Sequence, residues 1–279
     1  GNAAQNIEES STAAAADTGM ASGSYSETNV RQEGVDEGDT AKTDGTYLYV
    51  LKDKSDQIAI IDTRDNRMKQ TATITVEDVS ELQEMLLDIE RNQLIAVCDG
   101  YVGGKWNDDD YGYGQRANTT AVTYDISDRE KPKEVGRVSQ SGYYNSSRIA
   151  DGYLYLFSDY YVTLDGITAK NPKSYIPLVN DNLIKETDIC LPSISKADMY
   201  SIITSVSLEN PNETAHSKAL LADGGNLYVS NDNIYFYENV WQYSGKDVTT
   251  IRKVSYESGK LTAGAQCKID GYINDSFSI

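Results

Sequence analysis

The chain has 279 residues, a length that suits one large all-β domain or two smaller domains. Its formal net charge of −18 repels phosphate backbones and anionic membranes, so nucleic acid is not an expected partner. A single histidine, His216, argues against Ser-His-Asp and multi-histidine metal chemistry, and three cysteines are too few for a disulfide framework.

Residues 1–28 are rich in Ala, Ser and Gly and almost free of large apolar groups, so they read as a flexible tether that cannot offset its own chain entropy. No apolar run approaches the ~18 residues of a membrane-spanning helix, so direct membrane insertion is not expected. A leader or anchor is expected upstream of residue 1.

From residue 29 onward the pattern is that of strands. "DTAKTDGTYLYVL" (39–51), "SSRIADGYLYLFS" (146–158) and "KALLADGGNLYVS" (218–230) each place a strand before an Asp-Gly turn and an alternating Leu-Tyr strand after it. "MLLDIERNQLIAVC" (85–98) has the same form around Glu-Arg-Asn, and all four read as β-hairpins. The helical spacing of residues 79–87 yields to a strand starting near Glu84, because the hairpin that follows matches the repeat. A second hairpin follows in each unit, at 57–74, 120–138, 203–220 and 250–269. Asp62 and Asp125 stand at two of these turn mouths, where a short carboxylate accepts backbone N–H bonds. Units of four strands whose faces need neighbours to cover them predict an all-β chain, a β-propeller of about four four-stranded blades. The residues near Asn274–Ile279 read as the start of a fifth blade, so residues 29–279 are expected to be part of a larger propeller.

Between the strands lie candidate sites. The acidic set Asp36, Glu37 and Asp39 reads as register-fixing contacts, with a cation site as the alternative. "GKWNDDDYGYGQ" (104–115) joins Trp106, Tyr111 and Tyr113 to three aspartates. Flat amphipathic rings suit sugar or protein recognition, and Asp108 and Asp110 are the candidate ligands for calcium. Tyr143 and Tyr144 in "SGYYNSSR" and Tyr160 in "SDYYVTLDG" are candidates for one binding rim. Cys98 and Cys190 sit beside apolar residues and read as buried free thiols, with a disulfide plus one spare thiol as the alternative. No P-loop, dinucleotide fingerprint or paired-cysteine metal motif is present.

"TNVRQEGVDEGDTAKTDGTYLY" (28–49) resembles the lead-in motif of secreted bacterial and archaeal proteins with a C-terminal β-propeller domain. Residues 123–158 and "GYINDSFSI" (271–279) are similar to the same family. Gly38 and the pair Thr40-Ala41 depart from the apolar residues expected of an inner strand. The resemblance implies an exported or surface location and a propeller that continues past residue 279, and it carries no catalytic residue. The function expected is a non-catalytic binding or scaffold module for an extracellular protein or polysaccharide. A hydrolase or lyase with paired carboxylates at the propeller axis, and a calcium-braced wall module, are the alternatives.

Overall fold

The computed structural model describes residues 35–53, 55–64, 68–101, 117–162, 170–191, 197–222, 226–240 and 247–274. They form strands β1 (Asp36–Glu37), β2 (Ala41–Thr43), β3 (Tyr47–Leu51), β4 (Gln57–Asp62), β5 (Lys69–Thr75), β6 (Glu81–Asp88) and β7 (Gln93–Tyr101). Next come β8 (Ala117–Asp125), β9 (Lys133–Ser141), β10 (Tyr143–Ala150), β11 (Tyr153–Tyr161), β12 (Leu178–Val179), β13 (Asn182–Leu183) and β14 (Ile189–Cys190). The series ends with β15 (Met199–Ser207), β16 (Thr214–Ala222), β17 (Asn226–Val229), β18 (Asn233–Val240), β19 (Val248–Glu257) and β20 (Lys260–Asp270).

Four sheets result, each built on an antiparallel set of four strands: β2-β3-β4-β5, then β6-β7-β8-β9 with β12 and β13 added beyond β9, then β10-β11-β15-β16 with β1 and β14 at its two edges, then β17-β18-β19-β20. Local chemistry sets the turns. Asp44 accepts the N–H groups of Thr46 and Tyr47 at 2.9 and 2.7 Å, which closes the β2–β3 hairpin. Asp151 and Gly152 both take positive φ, +51° and +75°, as the tight β10–β11 turn requires. Asp62 and Asp125 cap their turns by accepting the N–H of Arg64 and Ser127 at 3.0 and 2.8 Å. One expected hairpin is not formed. In residues 218–230 the two strands are β16 and β17, which belong to the third and fourth sheets, so this Asp-Gly segment passes between sheets.

Alternation along the strands gives each inner sheet two apolar faces. Tyr49, Ile58 and Ile60 of the first sheet pack on Met85, Leu94 and Val122 of the second. Leu86, Ile95 and Val97 on its reverse face meet Leu154, Leu156 and Ile202 of the third. Tyr155, Phe157 and Ile203 then meet Ile234, Phe236 and Val254 of the fourth. Such stacking explains why a strand like Leu94–Cys98 is apolar at every position: both of its faces are covered.

Two small strand sets complete the outer edges. After β11 the chain crosses to the second sheet, where β12 pairs with β9 through Val179 and Gln140. It then returns to the third sheet, where β14 runs parallel to β16. Because antiparallel strands alternate direction, the connections at 101–117, 161–199 and 240–248 leave their sheets at the same end as the crossings at 75–81, 141–143 and 222–226. The β3–β4 turn shares that end, and the other short hairpin turns, including those of β6–β7, β8–β9 and β15–β16, occupy the opposite one.

Candidate functional site

The first strands of three sheets meet at one junction. β1 pairs with β10, setting Asp36 opposite Ile149 and Glu37 opposite Arg148. Two residues on, Asp39 exchanges backbone hydrogen bonds with Met85 of β6 at 3.0 and 2.9 Å. Lys42 is buried there and donates to the Asp36 carboxylate at 3.0 Å and to the Glu37 carbonyl at 2.5 Å. Arg148 reaches the Glu37 carboxylate at 3.1 Å. The acidic run 36–39 therefore fixes register, each charge meeting a cation or a backbone partner.

Gly38 has a steric reason to lack a side chain: a Cβ there would overlap the carboxylate of Glu84. That carboxylate accepts the Tyr144 hydroxyl at 2.5 Å, and Ser147 lies 3.0 Å from the same phenol oxygen. Burial first, and then the neighbouring Glu84 charge, push the Tyr144 phenol far above its usual range. Tyr144 thus stays protonated and acts as a donor.

Above the junction, two carboxylates hold consecutive residues of β10 at a bulge between Tyr144 and Ser146. Asp99 of β7 accepts the Tyr144 N–H at 2.8 Å. Asp159 of β11 accepts the Asn145 amide at 2.6 Å and the Ser201 hydroxyl at 3.0 Å. Burial raises both carboxyls above their ordinary range. Gly142 N–H donates to the Ala117 carbonyl at 2.7 Å, so the start of β8 is tied to the start of β10. The long 101–117 connection is anchored beside this rim.

The sequence matches the Beta propeller domain family over residues 25–279, nearly the whole chain. The chain belongs to that family. Among solved structures it is similar to a functionally unknown protein from Desulfotomaculum acetoxidans DSM 771. The identity is 11%, with 86% of this chain and 71% of that chain covered and a TM-score of 0.28. No curated protein matches.

Within this beta-propeller domain the expected site residues fall into three groups. Trp106, Tyr111, Tyr113, Asp108 and Asp110 lie outside the described residues. Tyr143 opens β10 opposite Asp159, half-buried, and Tyr144 beside it is committed to Glu84 and Ser147. Tyr160 corrects the sequence expectation: at 2% exposure it sits in the core between the second and third sheets, stacked on Tyr200 at 6.3 Å, and does not line a rim. Its place follows from alternation, since Leu154, Leu156 and Tyr160 share one face of β11.

Glu84, Asp99 and Asp159 are the functional-looking groups that sequence reasoning missed. Glu84 and Asp99 act across sheets and Asp159 across neighbouring strands of one sheet, and no local motif marks either. The three thiols are free, Cys98 buried, Cys190 half-buried and Cys267 exposed; burial pushes the Cys98 thiol up to about 12. His216 is a strand residue, its Nδ1 accepting the Leu261 N–H at 2.9 Å while Nε2 lies 3.2 Å from Asp188. Among the described residues no group of three or more His, Cys, Asp or Glu is arranged to hold a metal ion.

Proposed function

We propose that this beta-propeller domain is a secreted or cell-surface module that binds an extracellular protein or polysaccharide and performs no chemistry of its own. On this reading its four sheets are blades of a larger propeller, and the N-terminal segment tethers it. One observation carries the proposal. The polar groups at the first-strand junction are already committed, Lys42 to Asp36 and Arg148 to Glu37 as ion pairs and the Tyr144 hydroxyl to Glu84 as a hydrogen bond, while the long connections leave from a single end. A general acid or base needs an oxygen open to a substrate, and both Asp159 oxygens are already engaged by fixed donors. A rigid frame with variable loops at one end is the usual architecture of a recognition surface.

The test replaces residues 103–115 with a short Gly-Ser linker and compares the two proteins for binding to a purified extracellular polysaccharide and to intact cell walls. Loss of binding at an unchanged Tm supports the reading; equal binding by both proteins overturns it. Calcium as a brace is checked by melting with and without chelator, where a lowered Tm on chelation would favour the calcium-braced alternative.

A further inference from the structure

At the end opposite the long connections, the second and third sheets part around an open cleft of about 490 Å³. Asn92 and Gln93, at the β6–β7 turn, form one wall, and Asn210 and Asn212, in the β15–β16 turn, form the other. The second wall is held close, because Pro211 lies against Gly136 of β9 with no room for a Cβ between them.

Three of these amides are tied by one arm only. Asn92 Oδ1 accepts from Arg129 at 2.8 Å, Gln93 Nε2 donates to the Leu208 carbonyl at 2.9 Å, and Asn212 Nδ2 donates to the Val135 carbonyl at 2.7 Å. The tied arms fix the orientation of each amide, so the complementary atoms are presented in set directions. Among the described residues Gln93 Oε1 is buried without a hydrogen-bond partner, a costly state for an acceptor.

The charges at the cleft disfavour an anion, since the carboxylates of Asp125 and the exposed Glu209 line it and the Arg91 cation is already paired. Arg91 is bound to Asp88 at 2.9 Å with Glu209 at 3.9 Å, and Asp125 is engaged by the Ser127 N–H. The apolar lining is confined to Val135 and Pro211, and at the one strand edge that borders the cleft, that of β9, the Val135 carbonyl is already taken by Asn212. A peptide would need an apolar anchor or an edge to extend. A sugar needs neither, since each hydroxyl both donates and accepts and can meet an amide oxygen and an amide N–H in turn.

We propose that this cleft is a binding site for a neutral saccharide unit. Its lining residues are distinct from residues 103–115, so its success or failure is separate from that of the linker-replacement experiment above.

The experiment titrates the isotopically labelled chain with glucose, N-acetylglucosamine and cellotetraose, following backbone amide shifts. The expected result is saturable shifts confined to residues 91–93, 125–127 and 207–212, with an affinity on the order of 1 mM for at least one probe. Asn210→Ala and Ser127→Ala, both at solvent-facing turns, should weaken that binding by about threefold to tenfold at unchanged Tm. Three outcomes would overturn the proposal: no saturable shift with any probe, saturable shifts that map elsewhere, or binding indifferent to both substitutions. Stronger binding of an oligolysine peptide than of every sugar would also overturn it.

Discussion

Gly38 and Glu84 compete for one volume at the junction, and their pairing explains a glycine where an apolar residue looked natural. Gly38→Ala is expected to cost about 1–3 kcal/mol through overpacking, read as a fall in Tm. In the double variant Gly38→Ala/Glu84→Ala the overlap with the carboxylate is gone and only the contact with the Cβ of residue 84 at 2.9 Å remains, so its loss should be smaller than the sum of the single losses; strict additivity would reject the contact. Asp99 makes a second prediction, on pH. Burial holds its folded-state value above the unfolded value of about 3.9. The folded chain therefore binds that proton more tightly, so the stabilisation is full below the unfolded value and lost as pH rises through the folded one. Asn at this position keeps an oxygen for the Tyr144 N–H but never ionises. The stability of Asp99→Asn relative to the unmodified protein should thus improve between about pH 4 and about pH 7 in thermal melts. A relative stability that is flat or declines over that range would show that burial does not govern this carboxyl.

The connection from β11 to β15 acts as a clamp on two sheets, since β12 extends the second and β14 the third. Val179 and Ile184 from this segment join the core between those sheets. Ile184→Ala is expected to destabilise by about 2–5 kcal/mol, a core-sized loss from a segment with little strand of its own. Denaturant melts measure it, and a loss below about 0.5 kcal/mol would reduce the clamp to surface decoration. These same elements show where the sequence is legible. The β2–β3 and β10–β11 hairpins are written locally, in Asp-Gly turns flanked by alternating Leu and Tyr, and they form as read. The segment 222–226 carries similar letters, yet the strands on either side of it find partners in different sheets. Turn chemistry fixes only the local backbone, and the choice of neighbour rests on distant faces. The pairing of β1 with β10 is hidden for the same reason: two residues of strand hold no pattern, and what selects them is the Lys42 cation from the neighbouring first sheet and the Arg148 cation on the partner strand. Tyr160 was misjudged by residue type, because a tyrosine next to a turn looks like a rim residue until the phase of β11 is counted.

Across the molecule, each core is shared by just two consecutive sheets. The second and third sheets contribute to two cores each, whereas the first and fourth contribute to one each among the described residues. Stability in such a stack approximates a sum of nearest-neighbour interfaces, as in repeat proteins, so sheets at different places in the series should open with different free energies. Phe236 is a suitable lever. It is buried in the fourth sheet, with its ring centroid 6.5 Å from that of Phe157 in the third. Phe236→Ala removes about 3–5 kcal/mol of packing from the one interface that holds the fourth sheet. Native-state hydrogen exchange should then quicken over β17–β20 and remain slow over β6–β9, whose own two cores are untouched. The third sheet should fall between these limits, since it loses one of its two partners. Acceleration spread evenly over all four sheets would mean that they unfold as one cooperative unit, and the nearest-neighbour account would have to be abandoned.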